Sequence, residues 1–240
     1  MVSVCIATYN GEKYIKEQLD SIINQLSDND EIIVSDDCST DNTLTIIRGY
    51  QDKRIKIFIN NGVKGHTFNF ENALKYISGD FIFFSDQDDV WLPGKVEKIL
   101  RLLNIYYAVF SDAIVVDENL NPIYDSFFNE RNVGRGVFKN YIKNTYFGFG
   151  MAFRKELLQY AIPFPVQNEM GHDMILGFIA DMKNSIYFLN EPFTLYRRHQ
   201  DTVTRMGTQK KRRNLASIVR GRILEFYYIV NIYFRIIKYK

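Results

Sequence analysis

Cysteine is scarce in this chain. Among 240 residues only Cys5 and Cys38 occur, both in strand or strand-end positions, so no disulfide framework is suggested and both read as free thiols. No apolar run reaches the length of a membrane span. No secretory leader is visible: Met1 runs straight into Val2-Ser3-Val4-Cys5-Ile6, too short and too uncharged for one. The expected location is therefore the cytoplasm. Internal repeats and low-complexity linkers are also missing, which leaves one large domain or a domain with a short appendage. Acids are thin in one place. From Lys210 to Lys240, nine basic residues stand against a single acid, Glu225. That segment carries a surplus of eight positive charges in a chain of net charge +2, so the residues before it sum to −6.

What is present is a large apolar share, nearly half of the residues, enough to bury a sizeable core. Tyrosine and phenylalanine are abundant, but aromatics fill cores and also stack on sugars and bases, so their number alone decides nothing. The first half alternates short apolar runs with amphipathic stretches. Strands are expected at Val2–Ala7, Glu31–Ser35, Arg54–Ile59 and Asp80–Ser85. Helices are expected over Lys13–Gln25, around Leu44 and Ile47 with Ser39-Thr40-Asp41 as the cap, and over Phe68–Ile77. This order implies an α/β fold with an open, mostly parallel sheet flanked by helices, and ligands in such sheets bind beyond the carboxyl ends of the strands. The second half is less regular. Strands are expected at Tyr106–Ser111, Ala113–Asp117, Ile186–Leu189 and Phe193–Arg197. Helices are expected at Gly136–Lys143, Lys155–Tyr160 and Met174–Asp181, around a glycine-broken stretch, Phe147–Phe153.

The stretch Phe81-Ile82-Phe83-Phe84-Ser85-Asp86-Gln87-Asp88-Asp89 delivers three carboxylates in four residues to the end of an apolar strand. Like charges at that spacing raise one another's pKa unless a cation joins them. An all-oxygen set suits Mg²⁺ or Mn²⁺, which keeps waters and binds substrate phosphates. The alternative is a solvated acidic loop with Asp89 capping the helix near Pro93. Asp36-Asp37-Cys38-Ser39-Thr40-Asp41 follows the second strand. A carboxylate there can accept a hydrogen bond from a pyrimidine base or a ribose hydroxyl, or the stretch serves only as a helix cap.

Three motifs taken together, Val4-Cys5-Ile6-Ala7-Thr8-Tyr9-Asn10, Val34-Ser35-Asp36-Asp37-Cys38-Ser39-Thr40-Asp41 and Ser85-Asp86-Gln87-Asp88-Asp89-Val90-Trp91, resemble the inverting family 2 glycosyltransferases of the GT-A fold. Among these the resemblance is to bacterial enzymes that build O-antigen, capsule or rhamnose-containing polysaccharides, and it runs from residue 2 to about residue 205. It implies transfer of a sugar from a UDP-, dTDP- or GDP-linked donor to a saccharide or lipid-linked acceptor, with Mn²⁺ or Mg²⁺ as cofactor and no nucleic acid partner. Residue by residue it implies that Thr8, Tyr9, Asn10, Asp37, Lys64, Asp86, Gln87, Asp89 and Arg197 face the donor, with Tyr9 and Asp37 at the base. Asp86, Asp88 and His199 would hold the metal, and Asp173, in Gly171-His172-Asp173-Met174, would be the base that takes the acceptor's proton. Read without the resemblance, Asp173 is equally a helix N-cap, and Tyr196-Arg197-Arg198-His199 is equally an exposed basic loop. Phe147-Gly148-Phe149-Gly150 would form an acceptor-side wall, or its glycines mark a bulge. Cys38 departs from the pattern, standing where many relatives have glycine.

The resulting division is a catalytic domain over 1–208, with a nucleotide-binding half at 1–91 and an acceptor-binding half at 92–208, and a basic amphipathic helical tail at 209–240. In the tail Ile218, Ile223, Phe226, Ile229, Val230, Tyr233, Phe234 and Ile237 recur at helical spacing. The tail reads either as a peripheral anchor on the inner face of the cell membrane through 212–240 or as a helix packed on the catalytic domain or a partner subunit. On the first reading, removing 212–240 leaves the fold intact. Two other functions share these features. One is a sugar nucleotidyltransferase, for which the turn after the first strand has too few glycines and basic residues. The other is a saccharide- or partner-binding protein that has kept the fold without catalysis.

Overall fold

The computed structural model of the chain describes residues 1–165, 170–199 and 214–239. Strand β1 (Val2–Thr8) is buried along its whole length, as is β2 (Glu31–Asp36). β1 pairs in parallel with β2 and with β4 (Phe81–Asp86), and β3 (Ile55–Ile59) adds in parallel to β2. A parallel strand covered on both faces has to be apolar on both. Its alternation then divides the side chains between two cores, with Val4 and Ile6 in one and Cys5 and Ala7 in the other. Helices α1 (Ile15–Ile23), α2 (Thr43–Arg48) and α4 (Lys95–Leu103) supply the first core with Ile15, Leu19, Ile22, Ile47, Ile99 and Leu103. Helices α3 (His66–Leu74) and α8 (His172–Met182) supply the second with Phe70, Ala73, Phe178 and Ile179.

The second half makes the sheet mixed rather than mostly parallel. Among the described residues it has nine strands in the order β3-β2-β1-β4-β8-β6-β9-β5, with β7 (Pro122–Tyr124) beside β6 (Ala108–Val116). β8 (Met151–Arg154) runs antiparallel to both β4 and β6. β9 (Ile186–Arg197) runs parallel to β6, and β5 (Val90–Trp91) antiparallel to β9. One sheet thus passes through both halves of the chain.

Several expected elements merge. Tyr106–Ser111 and Ala113–Asp117 form the single strand β6, with register shifts on either side of Asp112. There the buried Asp112 carboxylate accepts from the backbone N–H groups of Ala113 and Phe128 and from Ser126 Oγ, which explains why an acid interrupts the pattern. Ile186–Leu189 and Phe193–Arg197 likewise form one strand. The helix expected at Lys155–Tyr160 is a 3₁₀ turn, Lys155–Leu157, followed by α7 (Leu158–Ala161). The elements the sequence did not announce, β5, β7 and α5 (Phe127–Arg131), are too short for periodicity to register. Helix α6 (Val137–Ile142) lies inside its expected range. The cap expected for α2 differs: the N-cap is Asn42, Asp41 accepts from the Thr43 N–H, and Ser39 is taken by Asp36.

The tail is helical, as α9 (Leu215–Lys238), with Asn214 capping it by accepting from the Ser217 N–H. Of the apolar set expected to share one face, only Ile229 is buried. The buried positions are Gly221, Ile229, Ile232 and Ile236, and they join the core on the α7 and α8 side. Against the expectation that removing 212–240 leaves the fold intact stands the burial of Ile229, Ile232 and Ile236, since removal would uncover that part of the core. The boundary at 208–209 and Lys210, Lys211, Arg212, Arg213 and Lys240 lie outside the described residues. Among the described residues no helix is long and apolar enough to cross a membrane.

Candidate active site

Register brings the polar loops together. Thr8 stands opposite Asp36 across β1 and β2, and Ala7 opposite Asp86 across β1 and β4, so all three loops leave the same edge of the sheet. Thr8 is buried and its Oγ1 donates to Asp36 Oδ2 at 2.8 Å. Asp36 in turn accepts from Ser39 N and Oγ. It is consumed in building the turn, which leaves Asp37 as the carboxylate at the rim. Asp37 accepts from Asn60 Nδ2 and from the Gly65 N–H, each at 2.7 Å, which fixes the orientation of both its oxygens. Asn10 braces the first loop against the second: its N–H donates to Ser39 Oγ and its Oδ1 accepts from the Thr40 N–H. Cys38 has φ +67°, the left-handed region that glycine adopts without steric cost, which accounts for glycine being able to fill that position. Lys64 Nζ lies 3.0 Å from Cys38 Sγ and also donates to the Asn60 carbonyl. The Tyr9 side chain is exposed.

At the end of β4 each acidic residue has a different surrounding. Asp86 Oδ1 lies 2.8 Å from His66 Nε2, and Asp88 Oδ2 lies 2.8 Å from His199 Nε2. Gln87 turns away from the sheet edge onto Tyr9, bonding both its backbone N–H and its carbonyl. Asp89 is buried. Its Oδ1 accepts from the Arg197 N–H at 3.0 Å, and its Oδ2 has no partner among the described residues. Burial and the charges of Asp88 and Asp86 push its pKa well above the usual carboxylate range. Arg197, expected at the donor, is itself buried. It donates to the carbonyls of Asp88 and Glu118 and pairs with Glu17, so it straps the turn from beneath.

Asp173 sits in the first turn of α8. Its Oδ1 accepts from the Met174 N–H at 2.7 Å, and the Gly148 N–H also donates to the carboxylate. Burial outweighs those bonds and the nearby His66, and the pKa is pushed up to about 6. A Cβ on Gly171 would strike Asp173 Oδ1, so the preceding glycine leaves room for the carboxylate to fold back. The two other glycines differ in role. A Cβ on Gly150 would strike the Ser111 carbonyl on β6, which is a strand-packing requirement, whereas one on Gly148 would come within 3.0 Å of His172 Nε2.

Sequence reasoning missed His66. It is bonded to Asp86, its ring centroid is 5.0 Å from that of His172, and it feels the charges of Asp173 and Asp88 as well. Burial lowers its affinity for a proton, and those carboxylates more than offset this, so the net shift is upward. His66 is thus the group through which the acids of β4 and the acid of α8 share one electrostatic field. The expected helix began at Phe68 and left His66 in a loop, so nothing in the spacing singled it out. Lys95 was missed too. It is buried, its Nζ donates to the Phe149 carbonyl at 3.1 Å and to Thr194 Oγ1 at 2.8 Å, and it lies 4.3 Å from the centre of the Trp91 ring.

The residues fit a hard divalent cation. Among the described residues no three His, Cys, Asp or Glu side chains enclose a cation by themselves. An ion that keeps waters and binds substrate phosphates needs only one or two protein ligands. Asp88 with His199 provides such a pair, and the orphaned Asp89 Oδ2 beside two further carboxylates marks uncompensated negative charge.

A glycosyl transferase family 2 domain matches residues 3–160. The UDP-Glc:α-D-GlcNAc-diphosphoundecaprenol β-1,3-glucosyltransferase WfgD of Escherichia coli is 28% identical over 239 residues, covering 96% of this chain and 91% of its own. The dTDP-rhamnosyl transferase RfbG of Shigella flexneri is 32% identical, covering 82% of this chain and 72% of its own. A GalNAc(5)-diNAcBac-PP-undecaprenol β-1,3-glucosyltransferase of Campylobacter jejuni is 31% identical, covering 87% and 68%. Among solved structures, residues 1–349 of TarS from S. aureus with UDP-GlcNAc superpose with a TM-score of 0.69 at 24% identity, covering 85% of this chain and 61% of TarS. The mannosyltransferase PcManGT of Pyrobaculum calidifontis, with GDP-Man and Mn²⁺, superposes at 0.59 and 22%, covering 86% of this chain and 58% of its own. With two acidic loops beside the loop after β1 on one sheet edge and a matched domain over most of the length, the chain belongs to glycosyl transferase family 2, the inverting glycosyltransferases of the GT-A fold.

Proposed function

We propose that the chain moves one sugar from a nucleoside-diphosphate sugar onto a saccharide acceptor carried on a lipid, as a step in assembling a cell-surface polysaccharide. The names of the E. coli and C. jejuni relatives, both with diphosphoundecaprenol-type acceptors, support the lipid-linked acceptor. The observation that carries the reading is Asp173. It is a half-buried carboxylate with its pKa pushed up to about 6, in the shared field of His66 and Asp86. A base of that strength is deprotonated at neutral pH and still able to take a proton as charge develops. In the reaction an acceptor hydroxyl oxygen bonds to the anomeric carbon while Asp173 takes its proton. The bond from that carbon to the diphosphate oxygen breaks, and the configuration inverts. Asp37 and Tyr9 hold the base of the nucleotide. Lys64 stands beside them, and Thr8, Asn10 and Gln87 shape the loops that frame it. Asp88 and His199, with Asp86, would hold Mn²⁺ or Mg²⁺, and the ion would supply positive charge against the diphosphate leaving group. Asp89 and Arg197 act through the turn that presents Asp88.

The tail serves as a peripheral membrane contact on the same reading. The outward stripe of α9, including Val219, Ile223, Phe226, Tyr233 and Ile237, is exposed, and it rests on anionic lipid at the inner face of the cell membrane. The test of the catalytic reading is Asp173→Asn with a panel of nucleotide sugars and Mn²⁺. Donor binding by calorimetry is expected to persist while product formation is lost. Undiminished transfer by that variant would remove Asp173 as the base.

A further inference from the structure

Helix α6 carries two large apolar side chains that no element among the described residues covers. Phe138 is 75% exposed and Ile142 is 58% exposed. At a spacing of four they share one face of the helix. Their neighbour Tyr141 ties α6 to α9: its ring lies 6.1 Å from that of Phe226, and its hydroxyl donates to the Arg222 carbonyl. Arg222 completes the join by donating to the carbonyls of Tyr141 and Ile142, the last turn of α6.

On α9, positions 219, 223, 226, 230, 233 and 237 fall within about 80° of one another at 100° per residue. The buried Ile229, Ile232 and Ile236 are centred roughly 100° or more to one side. The stripe is therefore a second apolar face, distinct from the one that packs on the body. Arg220 and Lys238 flank it on one side. The only acid of the helix, Glu225, is paired with Arg222 at 2.8 Å. Lys139 and Lys143 add positive charge on and just after α6. An apolar stripe edged by cations, with its one anion neutralised, is complementary to an anionic lipid surface.

We propose that α6 is a second lipid-contacting element, with Phe138 and Ile142 entering the headgroup region of an anionic bilayer beside the α9 stripe, and the Arg222 clamp holding the two helices as one docking surface. This rests on the membrane reading of α9. Its consequence is orientation. A single helix stripe leaves the domain free to roll about that helix, whereas two clamped elements fix which way the acceptor half faces the membrane.

The test uses the full chain with vesicles of phosphatidylcholine containing phosphatidylglycerol, and with phosphatidylcholine alone. Three proteins are compared: wild type, Phe138→Glu with Ile142→Glu, and Ile223→Glu with Phe226→Glu. Thermal melting confirms that each is folded, and analytical ultracentrifugation gives its oligomeric state. Both variants are expected to melt as wild type does. The α6 pair is expected to lower partitioning into the anionic vesicles at least tenfold, the order set by losing two buried apolar side chains. Wild-type partitioning by the α6 pair, with loss in the α9 pair, would overturn the α6 contact and leave the α9 anchor standing. Wild-type partitioning by both pairs, or no binding of the wild type to either vesicle, would overturn the anchor and the α6 contact together. A wild-type dimer that the α6 pair dissociates would overturn the proposal in favour of a second copy of the chain as occupant.

Discussion

Gln87 holds the backbone of Tyr9 from both sides: its Oε1 accepts from the Tyr9 N–H at 2.9 Å and its Nε2 donates to the Tyr9 carbonyl at 3.0 Å. The middle residue of the acidic turn is therefore the tie between that turn and the loop after β1. A Cβ on Gly11 would strike the Gln87 amide, so the glycine of the first loop is the seat of this tie. Gln87→Glu keeps the acceptor and loses the donor, and it adds a fourth carboxylate to the turn. This variant is expected to raise the donor KM about tenfold and to lower stability by roughly 1 kcal/mol, the scale of one net hydrogen bond. Steady-state kinetics against donor concentration and a urea melt check the two effects separately.

With Asp173 as the proposed base, the acid limb of the pH–rate profile is expected to follow its titration. Burial raises its pKa to about 6, and the carboxylate has to be ionised to accept a proton. Activity is accordingly expected to rise with pH through about 6 and to level off above it, and to fall tenfold per unit well below it. Gly171→Ala places a methyl group against Asp173 Oδ1. It is expected to cut kcat by one to two orders of magnitude, about 1.4–2.7 kcal/mol of barrier, with donor affinity unchanged. A profile that stays flat from pH 5 to 8 would sink the assignment.

How much of this was legible in the sequence follows from what periodicity can carry. The first four strands and their helices were readable because a covered parallel strand is apolar throughout and each was bounded by polar turns. The acidic residues of β4 were readable because charge at the end of such a strand is conspicuous. Partners were not. Asp86 with His66 and Asp88 with His199 are contacts across 20 and 111 residues, and no local pattern encodes them. Arg197 shows the same limit. The resemblance implied that it faces the donor, but only the fold reveals that it is buried against two backbone carbonyls and Glu17. The antiparallel β8 and the bulge at Asp112 escaped for a different reason: a sheet that changes direction keeps the same apolar pattern. The face of α9 was misjudged because both of its sides are apolar.

Lys95 is a buried amine whose hydrogen-bond partners are neutral. Loss of water around it lowers its pKa to about 7, and the charges of Asp89 and Asp86 only partly oppose this. In the unfolded chain a lysine titrates near 10.4. Between about 7 and 10 the unfolded state holds the extra proton, so this residue's contribution to stability grows as pH rises across that window and is lost as pH falls back through it. Lys95→Met removes the titration. Melting curves without divalent cations are expected to show the wild type gaining on the variant from pH 7 to 9.5. A gap between them that does not change with pH would contradict the neutral-lysine reading. Because Lys95 also donates to the Phe149 carbonyl, the variant is expected to raise the acceptor KM more than the donor KM.

If Asp88 and His199 hold a cation as proposed, holding can be separated from strapping. His199 Nε2 is 2.8 Å from Asp88 Oδ2, whereas Arg197 reaches the same residue only through its carbonyl, at 2.7 Å from Nε. His199→Ala removes a candidate ligand and the partner that aims the carboxylate. It is expected to weaken Mn²⁺ binding ten- to a hundredfold, the range for losing a group that orients a ligand, with little change in melting temperature. Arg197→Lys leaves the ligands in place but cannot serve two carbonyls and Glu17 at once. It is expected to lower stability by about 2–3 kcal/mol through buried acceptors left unpaired, while Mn²⁺ affinity in the folded fraction changes less than threefold. Titration of each variant with Mn²⁺, followed by isothermal calorimetry alongside a denaturant melt, distinguishes the two residues. If His199→Ala bound Mn²⁺ as tightly as the wild type, the ligand set would have to be drawn from Asp86 and Asp88 alone.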